Sequence, residues 1–125
     1  MHIVKLYSTP AGSRPLYKFI SELTKKHKDD NILKIKLMLE EFEKYGFELN
    51  KKYPNSIKFI RDDIYELRPT PSRVFFFHHT NGEFILLHGF EKKTNTTPKN
   101  EIELAEKEKN DYIKRWKNGE INNNK

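Results

Sequence analysis

The sequence predicts an α+β domain, with helices packed on one side of a mostly antiparallel sheet. Three observations predict it. Apolar residues recur at helical spacing from Leu16 to Phe42. The period then falls to two between Ile57 and Phe90, and short turns there join antiparallel neighbours. A helical pattern returns after Pro98. At 125 residues the chain has the size of one domain, read as residues 1–119, with 120–125 as a flexible tail.

The first strand is HIVKLY, residues 2–7, ended by the turn cluster Ser8-Thr9-Pro10-Ala11-Gly12. A helix follows with Ser13 as N-cap and Pro15 in its first turn, carrying Leu16, Phe19, Ile20 and Leu23. Asp30 caps a second helix whose stripe of Ile32, Leu33, Ile35, Leu37, Met38, Leu39 and Phe42 is wide enough to imply cover on more than one side. Gly46 stands where a C-terminal cap is expected. Ile57 to Ile60, Ile64 to Arg68, Arg73 to His79 and Phe84 to Phe90 read as strands, separated by Asp62-Asp63, Pro69-Thr70-Pro71 and the hairpin signal Asn81-Gly82. The last helix starts at Thr97-Pro98, places Ile102, Ala105, Tyr112, Ile113 and Trp116 on one face as core packing, and ends by Gly119.

Composition narrows the function. The chain carries 34% charged and 35% hydrophobic residues, yet 13% aromatics in periodic runs argue for a folded core rather than disorder. A formal net charge of +6 suits a partner bearing phosphates. The absence of Cys removes disulfides, thiolate nucleophiles and Cys-based zinc sites. There is no HExxH, Gly-rich phosphate loop, GxSxG or Rossmann fingerprint, so neither metal nor cofactor is expected. No apolar run spans a membrane and MHIVKLYSTPAG lacks a signal-peptide core, so a cytoplasmic location without a membrane partner is expected.

The chemistry-bearing residues gather on the strands. Alternation places Glu66 with Ile64 and Arg68, and Arg73 with Phe75, Phe77 and His79. With Tyr65, Leu67, Val74 and Phe76 turned to the helices, Glu66, Arg68, Arg73, Phe75 and His79 fall on an open face, rimmed by Lys92-Lys93. One reading is a solvated face with cross-strand ion pairs such as Glu66 with Arg73. The other is a metal-free phosphodiester site. There Arg68 and Arg73 grip phosphate oxygens, Lys92 and Lys93 bind RNA, and exposed Phe75 or Phe77 stacks an unpaired base. Such cations stabilise the charge that develops when a 2′-hydroxyl attacks its own phosphate. Of the histidines, His78 and His88 read as satisfied, partly buried imidazoles, and His79 as a candidate proton carrier.

Four stretches then carry a resemblance: YELR at 65–68, RVFF at 73–76, LLHGFEKKT at 86–94 and TPKNEIELA at 97–105, with PLYKFI at 15–20 before them. In this order they resemble the phage-derived HigB-like branch of the RelE/ParE toxin superfamily, whose pattern reads YELR, RVxYF, LLHGFxKKT and TPxxEIxxA, over residues from about 3 to 116. The resemblance implies a RelE-like α+β fold and the toxin of a type II toxin–antitoxin pair. It implies an endoribonuclease that cuts mRNA on the ribosome, held in check by a cognate helix-turn-helix antitoxin. It places Arg73 at the arginine that stabilises the cleaved phosphate and Lys92 and Lys93 near a second basic position. Where RelE has a lysine-rich strand this chain has Ile64 and Glu66, and RelE's C-terminal tyrosine has no match. The general base therefore lies open between Glu66 and His79. Two other functions compete: a ParE-type DNA gyrase inhibitor on the same fold, and a catalytically inert antitoxin-binding module.

Overall fold

The computed structural model describes residues 1–121. The elements are β1 (Val4–Leu6), α1 (Pro15–Lys25), α2 (Asp29–Tyr45), a 3-10 turn (Gly46–Glu48), α3 (Leu49–Lys52), β2 (Ile57–Arg61), β3 (Ile64–Leu67), β4 (Ser72–His78), β5 (Phe84–Glu91) and α4 (Lys99–Lys117). The α+β class expected from the sequence is the class found, and the architecture is consistent with a RelE-like fold. Of the expected tail, residues 122–125 lie outside the described residues. Among the described residues no helix is long and apolar enough to cross a membrane.

The sheet runs β1-β5-β4-β3-β2. Its last four strands pair antiparallel, while β1 lies parallel to β5 with Val4 opposite Phe84 and Leu6 opposite Leu86. The turn between β2 and β3 holds Asp62 and Asp63 at φ of 52° and 63°. Two such residues are what a tight hairpin matched to the strand twist requires, and short polar side chains tolerate it best.

The expectation of helices on one side is corrected. α1 and α2 cover one face, where Leu16, Leu23, Phe42, Leu67, Val74 and Phe76 form a core. α4 covers the other, where Ile64, Phe75, Phe77, Leu87, Ala105 and Tyr112 form a second. The reason stands in β4, where Val74, Phe75, Phe76 and Phe77 are consecutive and all at most 1% exposed. A strand apolar on both faces leaves neither to water, since burying one Phe side chain is worth roughly 1.5–3 kcal/mol. Polar contacts fix α4 in place. Arg61 Nε and Nη2 each donate to Glu106 at 2.9 Å. The Tyr7 hydroxyl donates to Asp111 Oδ2 at 2.7 Å. His88 on β5 lies with Nδ1 2.7 Å from Glu108 Oε1 and Nε2 3.0 Å from Glu101 Oε1.

Local signals met tertiary constraint at several ends. Arg14 rather than Ser13 precedes α1; Ser13 belongs to the preceding turn, its N–H donating to the Thr9 hydroxyl at 3.1 Å and its carbonyl accepting from the Thr9 N–H at 2.8 Å. Lys28 rather than Asp30 precedes α2, leaving Asp29 and Asp30 in the first turn, where they complement the helix dipole. Gly46 does end α2, at φ 55°, a backbone side chains rarely adopt. α2 is not covered on more than one side: Leu33 and Leu37 stay 53% and 51% exposed. At Gly89 a Cβ would stand 2.6 Å from Phe19 Cδ2, so α1 lies flush against β5 only because that residue has no side chain.

Candidate functional site

The cations converge where β3 leaves the sheet and β4 and β5 meet. Four backbone bonds build the corner. The Arg68 N–H donates to Ser56 O at 2.9 Å, Thr70 to Arg68 O at 2.9 Å, Ser72 to Pro69 O at 2.9 Å, and Lys92 to Pro71 O at 3.0 Å. The last of these ties the segment after β5 to the β3–β4 loop, so Lys92 faces the two arginines. Arg68, Thr70, Arg73, Lys92, Thr94 and Asn95 line an open cavity of about 200 Å³ there.

Glu66 organises the charges from beneath. It is fully buried, with Oε1 3.6 Å from both Arg68 Nε and Arg73 Nε. Its Oε2 accepts a 2.9 Å hydrogen bond from the Thr97 hydroxyl, just before α4. Arg73 is only 7% exposed. Its Nη1 donates to Thr70 Oγ1 at 3.2 Å and to Ser72 O at 2.9 Å. Arg68 is half-buried, its side chain 26% exposed. Three cations thus share one carboxylate, leaving positive charge unbalanced at the cavity. Burial, then the neighbouring Arg68, pull the Arg73 guanidinium below the usual arginine range, against Glu66. Burial also lowers Lys92; Glu66 opposes this, while Arg73, Arg68 and Lys58 add to it. A phosphate oxygen entering the cavity would relieve that crowding.

The other expected site residues fall elsewhere. Phe75 and Phe77 are 0% and 1% exposed beneath α4, so they are core and reach no base; the open face expected for them does not exist. His79 shares its face with Arg73 but lies six residues along the chain, about 20 Å away at the strand rise. Its ring is buried against Tyr112 and Trp116, at centroid distances of 5.5 and 4.5 Å. Burial, with Lys5 adding and Glu83 opposing, holds its pKa below the ordinary histidine value. A proton carrier so placed does not serve Arg73's cavity. Glu66, the other candidate base, has no surface through which to take a proton from a ligand in this conformation. Lys93 is exposed and outside the cavity lining.

Three contributors went unread in the sequence. Lys58 pairs directly across from Glu66 on β2 and acts electrostatically on Lys92. Its alternation with Ile57 and Phe59 carried the signal. Thr70 and Thr97 looked like loop and helix-start residues, and only the packing of α4 brings Thr97 to Glu66.

A solvent-facing cavity lined by two guanidiniums and an ammonium, with hydroxyls and an amide at its rim, is suited to a phosphate diester. A family model, Phage derived protein Gp49-like (DUF891), matches residues 18–110, well over half of the chain. No curated protein matches it.

Proposed function

The chain belongs to the phage-derived Gp49-like family, which is related to the RelE toxins of toxin–antitoxin systems, and we propose that it is a toxin of the HigB-like branch. On this reading it is a metal-independent endoribonuclease that cuts ribosome-bound mRNA and so arrests translation. The observation that carries the proposal is the convergence of Arg68, Arg73 and Lys92 on one cavity over a buried Glu66.

The chemistry follows from those positions. Arg73 and Arg68 bind the non-bridging oxygens of the scissile phosphate and stabilise the charge that builds on them. The substrate's own 2′-oxygen attacks phosphorus and the bond to the 5′-oxygen breaks, leaving a 2′,3′-cyclic phosphate and a 5′-hydroxyl. Of the side chains lining the cavity, Lys92 is the one suited to exchange a proton, because burial and the neighbouring arginines lower it from the ordinary lysine range. Its neutral amine takes the 2′-hydroxyl proton, and water returns one to the departing 5′-oxygen. Glu66 touches no substrate and acts as a positioning residue, holding the arginines apart at equal distance. The partner this reading requires is a small helix-turn-helix antitoxin whose acidic or amphipathic segment neutralises the cationic corner.

The test is induction of the chain alone, followed by pulse labelling and mapping of mRNA ends. Translation should fall before DNA synthesis, with 2′,3′-cyclic phosphate ends on the messages. Early loss of supercoiling with intact mRNA would point instead to a gyrase inhibitor.

A further inference from the structure

With Phe75 and Phe77 buried, an RNA strand held at Arg73 has no aromatic platform on β4, yet a groove beside the β3–β4 loop supplies one. Leu37, Met38, Leu49, Tyr53, Arg68 and Thr70 line it, and it encloses about 320 Å³, within the range of small-ligand clefts. We propose that this groove seats one unpaired nucleobase of the same RNA whose phosphate occupies the cationic cavity, an inference that rests on the phosphodiester reading above.

Three features on the molecule select that occupant. The groove adjoins the cavity, because Arg68 and Thr70 line both. A nucleotide spans the two with its phosphate on one side of residues 68–70 and its base on the other. Tyr53 stays 47% exposed and Leu37 51%, an aromatic ring and an aliphatic wall that α2 and α3 leave without cover. A base stacks on such a ring whatever its identity. The fringe is cationic: Lys34 stands at the rim and Lys52 Nζ lies 5.3 Å from the Tyr53 ring centroid. Glu41 also lines the groove, but it is engaged by Lys52 at 3.1 Å and Lys44 at 3.5 Å, which offset its charge toward a polyanion.

The experiment compares two trinucleotides made uncleavable by 2′-O-methylation, one with 2-aminopurine at its centre and one abasic there, titrated against the purified chain. Wild type should bind the 2-aminopurine probe about 5- to 150-fold more tightly, with its fluorescence quenched by stacking. Tyr53→Leu and Leu37→Glu should each bring the two probes to equal affinity. Both positions are exposed, and thermal unfolding verifies the fold of each variant. Equal binding of both probes by wild type, or an equal loss on both probes in Tyr53→Leu, overturns the inference. So does a variant that binds both probes as wild type does but escapes neutralisation by a partner polypeptide, which would mark the groove as a protein-docking site. Arg73→Ala reports the phosphate cavity separately: unchanged binding of both probes there overturns the phosphodiester reading while leaving the preference for a base to be read in wild type.

Discussion

Glu66 is the residue on which the cationic corner depends, and Glu66→Ala is the perturbation that measures it. The carboxylate has no exposed surface, faces Arg68 Nε and Arg73 Nε at 3.6 Å each, and accepts from Thr97 at 2.9 Å. Truncation removes the only anion among these groups, leaves Arg73 charged while 7% exposed, and strips Thr97 of its acceptor. Breaking a buried pair in this way costs about 3–5 kcal/mol, because the surviving charge keeps its desolvation penalty without a partner. Against a total stability on the order of 5–15 kcal/mol, that is a large share. Urea denaturation of the purified protein gives the loss directly. Glu66→Gln keeps the volume and an acceptor for Thr97, so it should cost less than the alanine. In a cycle with Arg73→Ala, the double variant should be more stable than the sum of the singles predicts, by roughly 1–3 kcal/mol, since the two removals relieve the same imbalance. A Glu66→Ala stability within 0.5 kcal/mol of wild type, on the scale of ordinary surface changes, would refute the reasoning.

Three further outcomes are expected. Arg73→Lys should lower RNA cleavage by about 10²–10³, measured by single-turnover cleavage, because a point charge does not replace the guanidinium fork that holds the phosphate. The His88 imidazole is pulled down by burial but raised more by the bonds and charges of Glu108 and Glu101, so its folded pKa lies above the ordinary value. Its stabilisation is then fully present below about pH 6.5 and is lost as pH rises through the folded pKa. The stability gap between wild type and His88→Gln, followed by thermal unfolding, should therefore shrink with rising pH; comparing the pair at each pH cancels the opposite contribution of His79, whose pKa is lowered. Gly89→Ala should destabilise by about 1–3 kcal/mol in the same urea assay, because its Cβ would sit 2.6 Å from Phe19 Cδ2 and 3.2 Å from Arg73 O. Wild-type stability there would show that Phe19 gives way freely.

The sequence by itself determined the strands, the longer helices and the corner of the sheet that carries the charge. Periodicity placed Leu16 and Phe42 on helices and β4 between its turns, and alternation put Glu66, Arg68 and Arg73 on one face, because backbone geometry fixes those directions locally. The spacing of Arg73 and His79 sets them about 20 Å apart, and the run Val74 to Phe77 is apolar on both faces although only one face is expected to be covered. Only the tertiary structure decided which helix covers which face, that β1 lies parallel beside β5, and that Thr97 reaches Glu66 across 31 positions of sequence. Those choices depend on non-local apolar burial, which no local period encodes. When α4 closes over Phe75 and Phe77 it removes the platform expected for RNA, and it leaves Arg68, Arg73 and Lys92 gathered at an open corner of the sheet.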